Sequence, residues 1–304
     1  MEMTKKKKKN WIRISFIVFC VALPVVNWLV FYVYTNLSSF AMAFTTKDGA
    51  LSLENFVRLY QEFQISSSDI RLALRNTMLT FVLLVISYPF KVLVSFFIYK
   101  KIPFAGIYRI LFFLPGIIFS VALAMIFTRM VGVNGVIAQF VQNVMHLDYV
   151  PELLSDSRFA NNVVLLHMLW LGFPGDLIIW GGTFARIPEE MLEAGRIDGV
   201  TWWSEFTKIV VPMVWPTVSL QIVMMVCGIF GASGAVFLLT RGEYGTMTLS
   251  CWTYLQVLNV AGTVETSGAF HYLSAVGFAM TVIAIIISLF VRRIADSYFE
   301  EVEF

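Results

Sequence analysis

The residues best suited to chemistry lie in one short polar segment, residues 186–212, between two long apolar stretches. It begins with Arg186 and carries five carboxylates, of which those of Glu189, Glu190 and Glu193 are clustered. A carboxylate forms strong, charge-assisted hydrogen bonds with an arginine side chain. The small residues that follow Glu193 would allow a partner to approach closely. The chemistry open to this segment is therefore recognition of a partner.

Motifs for catalysis, nucleotide binding and metal binding are missing from the sequence. No lysine is followed by Ser or Thr, so the chain has no P-loop for ATP. The nearest match to a nucleophile elbow, residues 231–235, lacks the second glycine. Cys20, Cys227 and Cys251 form no CxxC pair, and the histidines are equally dispersed. We predict no catalytic residue, no metal site and no cofactor in this chain.

The composition excludes a water-soluble globular protein. Of the 304 residues, 58% are hydrophobic and 14% are charged, whereas soluble domains carry about 45 to 50% apolar and about 25% charged residues. A bilayer core is about 30 Å thick, so a helix needs roughly 20 apolar residues to cross it. Six stretches are long enough: 14–34, 76–99, 110–128, 162–185, 209–240 and 272–291. The sequence therefore predicts an all-α membrane protein with six transmembrane helices.

The lysines and arginines predict the orientation. With the N-terminus inside, 14 of them fall on the cytoplasmic side and 7 outside, and this bias places both termini in the cytoplasm. The first stretch exceeds the apolar core of a signal peptide, about 7 to 15 residues, so we favour a retained span over cleavage near 41–43. The lysine run 5–9 is interpreted as an anchor at anionic lipid and not as a nucleic-acid site.

Two amphipathic pieces and a glycine turn are predicted within residues 186–212. Pro188 followed by Glu189 and Glu190 suits the start of a helix, and Gly199 can end it. A second amphipathic piece, 202–210, leads into the fifth apolar stretch. By these features alone, an ordinary connector at the membrane surface is the favoured interpretation.

The spacing of particular residues in the segment reverses that preference. Glu193 and Ala194 are followed by Gly199, Ile209 and Pro212, which lie 6, 16 and 19 residues after the glutamate. This pattern resembles the EAA motif of the binding-protein-dependent ABC importer permeases.

The resemblance covers nearly the whole chain and is to the carbohydrate branch of that family, in particular the maltose-type subunit. Residues 52–59, 73–77 and 108–115 contribute to it in the correct order. Three positions depart from the family pattern: Gly195 and Val200 each stand where the family has an alanine, and Val211 stands where it has a leucine. The glutamate, the loop glycine and the proline are kept.

The resemblance implies the type I ABC importer (MetI-like) permease fold in a bacterial cell membrane. It divides the chain into a tail, first span and extracytoplasmic segment (1–71), a five-helix core (72–293) that contains the loop 186–212, and a cytoplasmic tail (294–304). It also implies a sugar or oligosaccharide moved inward by alternating access. The implied partners are a second homologous permease subunit, two copies of a cytoplasmic ATPase subunit and an extracytoplasmic solute-binding protein.

The same resemblance implies a coupling helix that docks on the ATPase, with Glu193 facing an arginine there. ATP and Mg would be bound by the ATPase subunits and not by this chain. The residues assigned to coupling are Glu189, Glu190, Glu193, Ala194, Gly195, Ile197, Asp198 and Gly199.

The resemblance places the sugar in the fourth stretch, where Trp170 and Gly172 match a tryptophan and a glycine of the family. Two interpretations carry equal weight: Trp170 stacks on a sugar ring, or it is an interfacial anchor while Gly172 relieves the kink at Pro174. The candidate substrate path, in which the last three residues rest on helix position only, comprises Trp170, Gly172, Phe173, Asp176, Gln221, Met225 and Ser233.

A carboxylate within a span is costly and usually faces a cavity or a partner. Asp176 has three possible partners, which are substrate hydroxyls, Lys91 and the second permease subunit. We favour a structural polar contact for Asp176 over a role in binding substrate. Because Lys91 and Asp176 are the charged residues available there, a neutral sugar fits best. The alternatives are a permease of this fold for a phosphorylated polyol or polyamine and, less favoured, a secondary transporter, which should show repeated halves.

Overall fold

In a computed structural model, the described residues are 2–65, 68–100, 102–145, 152–231, 234–261 and 267–298. They form helices and turns, with one isolated antiparallel bridge between Thr45 and Leu51. The helices are, in chain order, α1 (Glu2–Trp28), α2 (Thr35–Ala43), α3 (Glu54–Gln64), α4 (Asp69–Tyr99), α5 (Ala105–Ile117), α6 (Ser120–Val131), α7 (Val136–Met145), α8 (Ala160–Leu171), α9 (Phe173–Phe184), α10 (Glu189–Ile197), α11 (Trp202–Ser204), α12 (Val211–Cys227), α13 (Gly234–Thr240), α14 (Leu249–Ala261) and α15 (Ser267–Tyr298). Two π-helical turns, Leu29–Tyr34 and Glu205–Val210, join α1 to α2 and α11 to α12.

Six helical segments of the described chain are long and apolar enough to cross a membrane. They are Arg13–Ala43, Asp69–Tyr99, Ser120–Val144, Ala160–Phe184, Trp202–Cys227 and Gly268–Ser297. Large apolar side chains on them are exposed, among them Phe19, Ile86 and Phe290, and a bilayer would cover such surface. The predicted all-α class and the predicted number of spans are confirmed.

The third span begins later than the sequence predicted. The expected span was 110–128, but α5 ends at Ile117, and the third segment long and apolar enough to cross a membrane is Ser120–Val144, itself interrupted at Gly132 between α6 and α7. Between them, Ile118 and Phe119 have extended backbone conformations. The prediction was wrong because hydropathy detects an apolar run but not a change in the direction of the backbone within it.

A close contact accompanies this change of direction. A Cβ atom on Gly116 would lie 2.6 Å from the Cβ atom of Pro174, so the glycine lets α5 pack directly against α9. Backbones approach closely in membrane bundles where a small residue lies at the contact. The last turn of α5 therefore belongs to a helix contact and not to a continuous span.

The fifth apolar stretch is also divided. Residues 209–240 are longer than one span requires, and α12 ends at Cys227, with turns at Gly228 and Gly231 before α13. The N–H of Gly231 donates to the carbonyl of Gly228 at 2.9 Å. Glycine favours such turns because it lacks a Cβ atom.

The chain packs as two compact units. The first contains Met1–Gln61 and Val257–Ala279, and the second contains Glu62–Gln256 and Met280–Phe304. In the first unit, the rings of Phe40, Phe44 and Phe56 pack around that of Phe278, with centroids 5.0 to 6.1 Å from it. These two units are defined by which residues pack together, whereas the predicted segments 1–71, 72–293 and 294–304 are defined by their position relative to the membrane. The predicted division therefore stays a prediction.

The main core of the second unit joins α4, α9, α10 and the beginning of α12. Its buried side chains come from four parts of the chain and are Tyr88, Val92, Phe96, Trp180, Phe184, Ile187, Leu192, Phe206, Val210, Val214 and Val218. Because Leu192 of α10 lies in this cluster, the polar segment identified in the sequence is packed onto the ends of two spans.

The loop between α13 and α14 is attached to α4. The side-chain amide of Asn76 donates to the carbonyls of Gly245 and Met247, at 2.7 and 2.9 Å. The N–H of Leu249 donates to the hydroxyl of Thr77 at 2.9 Å. These bonds pair backbone groups of the loop with side chains of α4, and the bond at Leu249 is buried.

The same loop contains strained backbone. Arg241 and Tyr244 have φ values of 54° and 55°, in the left-handed region that residues with a Cβ atom rarely adopt. Such conformations persist when surrounding bonds hold them in place. The bonds from Asn76 and Thr77 are contacts of this kind.

Replacing Asn76 by Ala removes the donor from two loop carbonyls. We expect the Asn76→Ala chain to lose about 1 to 3 kcal/mol of unfolding free energy, because two hydrogen bonds worth about 0.5 to 1.5 kcal/mol each are lost. Thermal unfolding in detergent measures the loss, and limited proteolysis after Arg241 measures release of the loop. Asn134→Ala, at an exposed position, is the control. Equal unfolding midpoints and cleavage rates in both variants would contradict the assigned bonds.

Candidate functional site

The helix α10 forms as its sequence predicts. Pro188 lies at its N-cap, Glu189 and Glu190 lie in its first turn, and Arg196 lies in its last turn, an arrangement that suits the helix dipole at both ends. The helix is then ended by Gly199, whose φ is +71°.

The hydrogen bonds at this end form a Schellman motif. The N–H of Val200 donates to the carbonyl of Gly195 at 3.0 Å, and that of Gly199 to the carbonyl of Arg196 at 3.1 Å. This pattern requires a left-handed residue, which glycine provides without a steric cost. The predicted turn at Gly199 is therefore confirmed.

The two faces of α10 have different contacts. Leu192 and Gly195 are buried. The exposed residues Glu190, Glu193, Ala194 and Ile197 lie at positions i, i+3, i+4 and i+7, which share one side of a helix. Ile197 is 86% exposed, so this side presents carboxylates beside an uncovered apolar side chain. Glu189, Asp198 and Gly199 are exposed as well.

One residue of the predicted coupling set lies on the buried face of α10. Gly195 was expected to contact a partner, but a Cβ atom on it would lie 2.8 Å from Cδ1 of Ile209. The glycine therefore lets α10 approach the π-helical turn of its own chain. The role of Gly195 in coupling stays a prediction, since the contact with Ile209 lies within the chain.

A second group of residues attaches the segment to α4. The rings of Phe96 and Phe206 are 5.3 Å apart, and those of Phe97 and Trp202 are 5.4 Å apart. Beside them, the Lys100 ammonium lies 2.5 Å from Oε2 of Glu205. Sequence reasoning did not identify Glu205 as a functional residue, because its partner lies 105 residues away along the chain.

Inside the spans, Lys91 and Asp176 form an ion pair. The Lys91 Nζ atom lies 2.9 Å from Oδ2 of Asp176, and the side chains are 6% and 19% exposed. Of the three partners considered for Asp176, the structure therefore shows Lys91. The favoured interpretation, a structural polar contact, agrees with this geometry.

The ion pair lies where two helices meet end to end. Gly172 is both the C-cap of α8 and the N-cap of α9, and Asp176 lies in the first turn of α9. The positive end of α9 favours the carboxylate, and the negative end of α8 favours an ammonium group. A Cβ atom on Gly172 would overlap the Nζ atom of Lys91, so the glycine makes room for the lysine.

The structure brings together three of the predicted substrate-path residues. Gly172, Phe173 and Asp176 surround Lys91, whose Nζ atom lies 5.8 Å from the centroid of the Phe173 ring. Phe173 also stacks on Phe112, with ring centroids 5.1 Å apart.

The other predicted path residues have separate surroundings. Trp170 stacks on Phe127 at 6.3 Å and packs in a different cluster, which includes Val164 and Cys251. Gln221 is half-buried, and Met225 packs against the main core. Ser233 lies outside the described residues.

The described ranges contain no cluster of metal-ligating side chains. No three His, Cys, Asp or Glu side chains come together there. Inside the spans, Lys91 and Asp176 are paired with each other.

We expect Lys91→Met to destabilise the chain by about 3 to 5 kcal/mol, because the Asp176 carboxylate is left buried without its partner. The double variant Lys91→Met with Asp176→Leu should recover most of this loss, since both charges are then absent. Thermal unfolding in detergent compares the variants, with Lys208→Met at an exposed position as the control. A double variant no more stable than the single one would refute the pairing.

Known proteins resemble this chain over most of its length, although no family model matches it. The lactose transport system permease protein of Rhizobium radiobacter is 24% identical over 85% of this chain and 87% of its own length. The arabinooligosaccharides transport system permease protein of Bacillus subtilis is 23% identical over 90% of this chain and 86% of its own length.

The fold likeness covers nearly the entire chain. Two crystal structures of a bacterial ABC transporter involved in alginate import, one in complex with its alginate pentasaccharide-bound periplasmic protein, match with TM-scores of 0.78. The matched chains are 21% and 22% identical, over 98% and 94% of this chain and 99% and 97% of their own lengths. The chain therefore has six helical segments that could cross a membrane, shares the fold of these ABC transporter chains, and is similar in sequence to permeases of carbohydrate transport systems.

Proposed function

We propose that this chain is the membrane-spanning subunit of an ATP-driven importer that moves a sugar or oligosaccharide by alternating access. The observation that carries the proposal is the helix α10, which presents Glu190, Glu193 and Ile197 outward while its opposite face packs on α4 and α9 through the main core. A helix exposed on one face and attached to two spans on the other can receive a force and pass it on.

The exposed face of α10 is proposed as the ATPase-docking surface. Glu193 would accept a charge-assisted hydrogen bond from an arginine of the ATPase, and Ala194 leaves room beside it. The surface would lie in the cytoplasm, together with both termini of the chain. ATP and Mg would be bound by two ATPase subunits, in keeping with the absence of a P-loop from this sequence.

The remaining partners follow from the proposed mechanism. A second, homologous permease subunit would complete the pathway, and an extracytoplasmic solute-binding protein would deliver the sugar. ATP-driven closure of the ATPase pair would shift the bundle between inward-open and outward-open states, as a ligand biases a two-state element. The complex would reside in the bacterial cell membrane.

The charge inside the spans supports a neutral solute. An anionic solute would need unpaired basic side chains in its pathway and a cationic solute unpaired acids, but Lys91 and Asp176 neutralise each other at 2.9 Å. Half-buried aromatic side chains such as Trp170 and Phe173 offer ring faces suited to sugar. A neutral sugar or oligosaccharide is therefore favoured over a phosphorylated polyol or a polyamine.

We expect Glu193→Ala and Glu193→Lys to abolish solute uptake, because the proposed bond to the ATPase is lost or replaced by repulsion. Uptake into proteoliposomes and co-purification of the ATPase measure the effect in the assembled complex. Glu54→Lys changes a carboxylate in the first turn of another exposed helix and should leave both unchanged. Normal uptake and ATPase stimulation in both Glu193 variants would refute the docking role.

The identity of the solute is best read from the binding protein that serves this permease. We expect calorimetry to detect binding of neutral mono- or oligosaccharides, because the permease pathway carries no unpaired charge from Lys91 or Asp176. The panel should include alginate fragments, a phosphorylated polyol and a polyamine. Binding of charged solutes alone would contradict the proposal of a neutral sugar.

A further inference from the structure

The pair formed by Lys100 and Glu205 lies at a joint between two parts of the second unit. Lys100 is the C-cap of α4, and its N–H donates to the carbonyl of Phe96 at 2.9 Å. Glu205 is the first residue of the π-helical turn that links α11 to α12. The pair therefore ties the end of one span to the beginning of another.

The burial of this pair distinguishes it from surface ion pairs. The Glu205 side chain is 5% exposed and that of Lys100 is 23% exposed, with 2.5 Å between Oε2 and Nζ. By contrast, Arg292 and Asp296 are 69% and 59% exposed and 3.6 Å apart. An exposed pair contributes little to stability, whereas removing one partner of a buried pair leaves the other charge buried and uncompensated, which is strongly destabilising.

The segment on the Glu205 side includes the proposed docking helix. Leu192 of α10 packs with Phe206 and Val210 in the main core, and Gly195 allows Ile209 to contact α10 directly. A displacement of α10 must therefore move the turn Glu205–Val210 with it, because packed side chains leave no space for independent movement.

The helix on the Lys100 side leads to the ion pair inside the spans. Lys91 and Lys100 lie on the same helix, α4, separated by about 13 Å at 1.5 Å per residue. Lys91 binds Asp176 at the junction of α8 and α9. A single helix thus carries one buried charge contact to the docking segment and another to the helix junction.

We infer that the ion pair between Lys100 and Glu205 is a positioning contact that transmits movement of α10 to α4, and through Lys91 to the junction at Gly172. The inference rests on the proposed function of α10 as the ATPase-docking helix. Lys100 and Glu205 touch neither solute nor nucleotide in this role. They hold the docking segment and α4 together while both move.

The test uses the complete transporter with Glu205→Gln, Lys100→Met and the exchange Lys100→Glu with Glu205→Lys. We expect each single variant to keep its ATPase subunits and its basal ATP hydrolysis within about twofold, while solute imported per ATP falls about tenfold or more, which is about 1.4 kcal/mol of coupling. The double variant Lys100→Glu with Glu205→Lys should restore at least part of the solute imported per ATP. Asp296→Asn, in the exposed pair, should leave the ratio unchanged.

Hydrogen exchange of the same complexes provides a readout that does not require transport. Glu205→Gln should speed exchange of the amides in 202–210 and in the last turn of α4, and Asp296→Asn should not. The inference would be overturned by unchanged hydrogen exchange or by an unchanged ratio of solute imported per ATP. Loss of the ATPase subunits from the single variants, or no recovery in the double variant Lys100→Glu with Glu205→Lys, would overturn it as well. A wild-type complex that imports no sugar would refute the proposed function instead, and the exchange rates would still decide whether the pair joins the two segments.

Discussion

The second unit depends on one constraint: inside a bilayer, a broken helix and a charged side chain must find their partners within the protein. Pro174 has no N–H to continue the helical hydrogen bonds across the junction at Gly172, and Lys91 and Asp176 are charges that lipid cannot solvate. The Lys91 ammonium lies at the end of α8 and the Asp176 carboxylate lies in the first turn of α9. The charges therefore stabilise the helix ends, and the helix ends stabilise the charges. The pair thereby joins α4 to the junction of α8 and α9.

Small residues make close packing possible. Gly116 lets α5 approach Pro174, Gly172 makes room for Lys91, and Gly195 makes room for Ile209. In each case a Cβ atom would collide with a side chain of a neighbouring element. Glycines that a motif suggests for contact with a partner or a solute can thus be required for contacts within the chain.

The arrangement also separates two tasks in the proposed transporter. The outer face of α10 is free to meet an ATPase, while its inner face packs in the main core through Leu192. The ring contacts of Phe96 with Phe206 and of Phe97 with Trp202 attach the segment that follows α10 to α4. Three of the pathway candidates, Gly172, Phe173 and Asp176, lie at the other charge contact of the same helix. The pairing of Lys91 with Asp176 makes a neutral pathway, as proposed, compatible with a charged docking face.

The sequence by itself determined the membrane class, the six spans and the helix that ends at Gly199. Those properties depend on composition and on local backbone preferences, which neighbouring residues decide. Tertiary structure decided where the third span begins, that Gly195 faces inward, and that Trp170 packs apart from Phe173. It also decided the partners of Asp176 and Glu205, which lie far from them along the chain. Such contacts depend on which helices become neighbours, and in spans that are apolar on all sides hydropathy does not distinguish a helix-facing side from a lipid-facing one.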